Sequence, residues 1–262
     1  MTDLTLPSAV DKAVSQATVV EQSRAVAEVA AAVKVARDFP RDEDAAAGGV
    51  QRSFGHLVVA ERAFYSVPNR GTGMSVHAAR EMARAWGNID YGVRELRRDD
   101  AAGESEMQAW AWDQQTNVRS TRSFIQPHAK STKRGRVALT DINDVYLNNQ
   151  NTGAKAVREC IFTVLPDWLI QTAQETANRT LTRGTGEPVE ARAQAAATKF
   201  AGLGVSPAQM EAYIGRPLAK WTPDDLAKLT TAWTSITQEG IPAADFFPEA
   251  TTTLDVPQGG EE

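Results

Sequence analysis

The chain has a single cysteine, Cys160, in 262 residues, which excludes an internal disulfide framework and fits a reducing compartment. It contains no run of eighteen apolar residues, so no segment reads as a membrane span. Asp3 and Asp11 stand where a secretory leader would need a basic start and an apolar run. The expectation is a non-exported cytoplasmic protein, in the host cytoplasm if the chain is phage-encoded. Histidine is scarce: His56, His77 and His128 are dispersed and lack neighbouring cysteines or paired carboxylates, so neither a zinc site nor any other cofactor is expected. Acid is missing from one place in particular. From Gln114 to Thr140 there is no Asp or Glu, in a chain whose net charge is −5.

That acid-free stretch carries Arg119, Arg122, Lys130, Lys133, Arg134 and Arg136 and begins just after an aromatic pair, Trp110 and Trp112. Cations that track phosphates, beside rings on which unpaired bases stack at roughly 1–3 kcal/mol each, are what a groove for single-stranded nucleic acid needs. The same charge and spacing fit a solvated basic hairpin with its tryptophans in the core. With a pI near 5.4 the chain does not coat nucleic acid with its whole surface, so binding would come from a local patch.

Residues 8–37 are rich in Ala and Val, with Val26, Val29 and Val33 near helical spacing and Pro40 ending the segment. This predicts a long N-terminal helix whose small side chains suit close packing on another helix, in the same subunit or in a neighbour. Residues 41–62 read as a second helical region interrupted at Gly48-Gly49, and 68–73 as turns. Ser75 caps a helix with Met82 and Trp86 on its apolar face, ended by Gly87. The period then changes to two. Three strands follow, over 89–94, 104–113 and 117–126, with Trp110 and Trp112 on one face of the second.

Helical signals return at Asp141, break at Pro166 and resume from Trp168. The predicted fold is α+β: a small antiparallel sheet of three or more strands packed with helices, a long N-terminal helix and a small helical C-terminal module. In domain terms, 1–182 is the core, 183–194 a linker, 195–248 the module and 249–262 a disordered tail. Ser206-Pro207 and Thr222-Pro223 mark helix starts within the module, and Met210, Tyr213, Trp221, Leu229 and Trp233 belong to its predicted core.

No constellation asks for an enzyme. Gly71-Thr72-Gly73 lacks the Lys and following Ser or Thr of a phosphate-cradling loop. Cys160 lies on an apolar stripe that would hold its thiol neutral and inaccessible. Asp141 and Asp144 sit where they answer a helix dipole.

Four segments carry a family likeness: Ala63 to Pro68, Arg80 to Gly92 with its Trp86-Gly87-Asn88-Ile89-Asp90-Tyr91-Gly92, Ala109 to Asp113, and Asn151 to Pro166. They resemble the phage single-strand DNA annealing proteins, the RecT and Redβ recombinases, over roughly 55–180, with a weaker echo in 200–248. The resemblance implies an ATP-independent recombination protein that forms a homo-oligomer, a ring or a filament. It implies a basic groove for single-stranded DNA, placed on Arg119, Arg122, Lys130, Lys133, Arg134, Arg136, Lys155 and Arg158 with Trp110 and Trp112 as rings. By the same analogy the C-terminal module docks a host single-strand-binding protein or a phage exonuclease; its alternative role is a cap on the main domain. The competing reading is a non-enzymatic phage assembly or scaffold protein that uses its helices for protein contacts. A nuclease ranks last, for want of a metal-ligand cluster.

Overall fold

Serine, threonine and aspartate side chains cap five of the helix starts. The computed structural model describes residues 16–132 and 135–248. Helix α1 (Gln16–Asp38) leads into α2 (Glu43–Phe54), whose N-terminus is capped by Asp42 accepting from the Ala45 amide. α2 runs through Gly48-Gly49 without the predicted interruption. Two interior glycines cost roughly 1 kcal/mol each, but Val50 and Phe54 are fully buried against the body and hold the helix together.

After the short α3 (Leu57–Ala60) comes a hairpin, β1 (Phe64–Val67) with β2 (Gly71–Met74), whose loop and second strand take in most of the 68–73 segment read as turns. Asn69 (φ 63°) and Gly71 (φ 102°) supply its left-handed residues. Helix α4 (Val76–Trp86) starts as predicted, with Ser75 accepting from the Ala78 amide at 3.2 Å, and stops at Gly87 with φ 75°.

The three predicted strands are present as β3 (Ile89–Asp99), β4 (Glu104–Asp113) and β5 (Val118–Pro127), an antiparallel meander in that order. A second small hairpin follows, β6 (Ala129–Thr132) with β7 (Gly135–Ala138). Asp141 then caps α5 (Ile142–Val164), accepting from the amides of Asn143 and Asp144, and α5 lies across one face of the meander. Met107, Ala109 and Ala111 of β4 are buried on that side. Close approach explains a helix-interior glycine: a Cβ on Gly153 would come within 2.7 Å of Val93 on β3.

Helix α6 (Asp167–Arg183) completes the larger core, in which Phe54, Met82, Ile161 and Leu169 are buried together. The linker is shorter than the predicted 183–194: it spans 184–188, and α7 (Val189–Ala201) already includes 189–194. α8 (Pro207–Ile214), α9 (Pro223–Thr237) and α10 (Ala243–Phe246) build a second core around Phe200, Met210, Trp221, Leu229 and Phe247. Tyr213, predicted within this core, is 36% exposed at its rim.

The module is fastened to the rest. α9 packs on α6 and β1, Ser66 N donates to Ser235 Oγ at 2.7 Å, and Thr234 Oγ1 donates to Glu61 O at 2.6 Å. Residues 1–7 and the predicted tail 249–262 lie outside the described residues, as do 8–15 of the predicted first helix.

Both Ser206 and Thr222 form capping boxes. In the second, Asp225 accepts from Thr222 N at 2.8 Å and Thr222 Oγ1 at 2.9 Å. Burial alone pushes the Asp225 carboxyl up, but these bonds with Arg216 and Lys228 outweigh it and hold it below the usual carboxylate range. A depressed folded value means stability present above the ordinary pKa and lost as pH falls through the folded one. Asp225→Asn is therefore expected to cost about 0.5–2 kcal/mol at neutral pH, in a gap from wild type that closes on acidification. Urea unfolding across that pH range measures it; a gap of constant size contradicts the assignment.

Candidate nucleic-acid interface

Strand parity decides which side chains meet. On β4, Ser105, Met107, Ala109, Ala111 and Asp113 turn toward α5, so Glu106, Gln108, Trp110 and Trp112 turn the other way. Register adds Asp90, Gly92 and Arg94 from β3, and Arg119, Thr121 and Ser123 from β5, to this open face. Both tryptophans are partly exposed there rather than in the core.

Each indole is fixed by its N–H. Trp110 Nε1 donates to Asp90 Oδ2 at 2.7 Å, and Trp112 Nε1 donates to Asn117 Oδ1 at 3.0 Å. The six-membered ring of Trp110 lies over Gly92, where a Cβ would come within 2.7 Å of it. Arg94 sits 5.4 Å from the Trp110 ring centre and donates to Gln108 Oε1. Arg119 stands directly across from Trp112 and is exposed. Arg97, further along β3, is held by Asp99 at 2.6 Å. The Asp99 carboxyl is itself kept below its ordinary range, chiefly by the Ala102 amide in the β3–β4 turn.

Among the described sequence-predicted cations, Arg122, Lys155 and Arg158 do not join this surface. Arg122 is three residues from Arg119, pairs with Ala109 and so belongs to the α5 side of the sheet, at its exposed edge. Lys155 is exposed on α5, across the sheet from the tryptophans. Arg158 is largely buried: its guanidinium binds Glu159 and stacks 4.4 Å over Tyr65 of β1. Lys130 pairs with Val137, so Arg136, the neighbour of Val137 along β7, falls on the opposite side of the β6–β7 hairpin. Lys133 and Arg134 lie outside the described residues. The one continuous channel expected from these cations is therefore not formed by the six that are described. Alternation along strands and the Glu159 carboxylate divide them. Arg94, Gln108, Thr121 and Ser123 are the members of the open face that sequence reasoning missed; the polar half of the β3 alternation was their signal.

A buried polar cluster was also missed. Ser105 Oγ lies 2.8 Å from His128 Nε2, whose Nδ1 is 3.9 Å from Asp100 Oδ1. The residue types match a hydrolytic triad, but Ser105 is completely buried, and its hydroxyl already donates to Glu95 and accepts from Asn149, both at 3.0 Å. The cluster ties β4 to α5 and to the start of β6. A cleft of about 650 Å³ between α2 and the end of α4 includes Arg41 and Arg84, which are neutralised by Asp113 and Glu81.

No protein-family model, curated protein or solved structure matches this chain. The candidate function therefore rests on the open sheet face itself. Among the described residues no helix is long and apolar enough to cross a membrane, and no three His, Cys, Asp or Glu side chains group as metal ligands.

Proposed function

We propose that the open face of the meander binds single-stranded DNA without sequence preference, and that the protein is a phage recombination protein annealing complementary strands without ATP. The observation that carries this is the Trp110–Trp112 pair, partly exposed on a sheet face with Arg94 and Arg119 beside the rings. Sheets that present aromatic side chains in this way hold unpaired bases by stacking while cations meet the phosphates. Annealing itself asks for no catalytic group: it needs phosphate repulsion neutralised, bases held apart from one another, and a duplex that is released. The likeness to RecT and Redβ proteins supports DNA as the substrate and a homo-oligomer as the acting form, with the C-terminal module contacting a host single-strand-binding protein or an exonuclease.

Fluorescence anisotropy of a labelled oligonucleotide tests the reading. Log affinity is expected to fall with log salt by about 0.7 per phosphate contacted, and Arg94→Ala plus Arg119→Ala to flatten that slope by about 1.4. Absence of binding at low salt ends the proposal. A second reading, a scaffold protein working through helix contacts, is favoured by the uncovered surface of α1. Light scattering with and without oligonucleotide separates the two, since only the annealing protein assembles further on DNA.

A further inference from the structure

Helix α6 carries Thr176, Arg179, Thr180 and Arg183 at helical spacing, so all four side chains share one face. Across from them stand Gln51, in the last turn of α2, and Gly55 just beyond it. Together these residues line a cleft of about 480 Å³. Among the described residues that line it there is no carboxylate and no aromatic or wholly apolar side chain.

Both arginines are left to the cleft. Glu175 stands one turn before Arg179, the spacing of a helical ion pair, yet it accepts from Gln171 Nε2 at 2.9 Å. Glu187, the first acid after Arg183, accepts from Thr185 Oγ1 at 3.0 Å. Arg179 donates to Thr176 Oγ1 and Arg183 to the Gly55 carbonyl, each at a long 3.4 Å. Among the described residues no carboxylate pairs with either guanidinium. Like charges one turn apart on a helix repel, and an anion held by both would remove that repulsion.

The hydroxyls point the same way. Thr176 and Thr180 are only 7% and 5% exposed. Helical threonines such as Thr163, Thr172, Thr198 and Thr230 donate to the carbonyl four residues back. Among the described residues neither Thr176 nor Thr180 donates its hydroxyl hydrogen to any acceptor, which is uncommon for buried polar groups. The last turn of a helix draws cations to its dipole, and that accounts for Arg183. It does not account for two buried hydroxyls with unspent donors beside it.

We infer that this cleft is a phosphate site, in which Arg179, Arg183 and the Thr176 and Thr180 hydroxyls donate to the oxygens of one tetrahedral anion. Guanidinium forks meet phosphate oxygens two at a time, and the hydroxyls and the Gln51 amide suit the remainder. With no ring to stack on and no apolar wall, the cleft takes the phosphate and leaves the rest of its bearer outside. The ligand class is therefore inorganic phosphate or a small phosphomonoester. A polynucleotide backbone offers the same chemistry, and titration separates the two sources. The site shares no residue with the open sheet face and does not depend on that face binding nucleic acid.

Isothermal titration calorimetry of the full chain with inorganic phosphate, and separately with adenosine monophosphate, at constant ionic strength tests the site. One saturable site with a dissociation constant of about 5 mM or tighter is expected for each. Arg179→Gln plus Arg183→Gln is expected to weaken phosphate binding at least about tenfold, and Thr180→Val about threefold. Thr180→Val should melt no lower than wild type, a readout that a hydroxyl serving the fold would move. Absence of saturable binding overturns the inference, as does undiminished phosphate affinity in the double-glutamine variant. Oligonucleotide affinity of that variant, by anisotropy, is expected to match wild type; a loss above about threefold overturns the assignment to free phosphate esters in favour of the strand backbone. A wild type that binds phosphate and no oligonucleotide upholds this site and ends the DNA reading, so the two fail in different titrations.

Discussion

Replacing Trp110 and Trp112 together by alanine is expected to weaken binding of an unstructured oligonucleotide by about 2–6 kcal/mol, two stacking platforms at roughly 1–3 kcal/mol each. That corresponds to a loss of about 30-fold to about 20,000-fold in affinity. The rings stand on the side of the sheet away from α5, so the larger core does not depend on them. Thermal unfolding of the variant should therefore stay close to wild type while anisotropy titration shows the loss. An affinity within threefold of wild type would remove the tryptophans from the interface. Gly92→Val approaches the same question from below: its side chain would enter the space that the Trp110 ring occupies, and binding should fall while both indoles remain in the chain.

The second large effect concerns stability. Arg41 and Asp113 form an ion pair whose side chains are 4% and 3% exposed, and Arg41 also lies 4.6 Å over the Trp86 ring. Both Arg41 N and Arg41 Nε donate to Gln115 Oε1, so one side chain joins the segment before α2 to the end of β4. Arg41→Ala leaves a buried carboxylate without its countercharge, which typically costs about 3–5 kcal/mol. In a chain of this size that lowers the melting temperature by about 6–20 °C. Asp113→Asn combined with Arg41→Ala should cost less than the two single changes summed, because the stranded charge is gone. Urea denaturation of the three variants decides it, and a single-mutant loss under about 1 kcal/mol contradicts the assignment.

Local signals in the sequence account for what was legible in the fold. Ser75 before α4, Asp141 before α5, and the Ser-Pro and Thr-Pro pairs before α8 and α9 satisfy free amides within three residues, so each can be read from neighbours alone. The meander was legible because its strands are long enough for a period of two to declare itself. The β1–β2 and β6–β7 hairpins have strands of four residues each, too short for a period of two to declare itself, and no strand was predicted over 64–67, 71–74, 129–132 or 135–138.

The site divided along the same line. Trp110, Trp112 and Arg119 were named together and do share a face. Arg122 was grouped with them by nearness along the chain, yet an odd offset on a strand reverses the side. Placing Arg94 beside Trp110 required the register between β3 and β4, and withdrawing Arg158 required knowing that Tyr65, far away in sequence, would lie beneath its guanidinium. Nearness in sequence foretells nearness in space along a helix or within a turn, and fails between strands and across the core.

The hydrogen bonds from the two indoles to Asp90 and Asn117 have a kinetic and entropic corollary. Side chains that must be immobilised on association each sacrifice about 0.5–1.5 kcal/mol of rotamer freedom. Here that loss has already been taken during folding, so under the proposed function an arriving strand would meet a rigid floor. Encounter would then be governed by how the flexible polymer arranges itself, with little adjustment demanded of the protein.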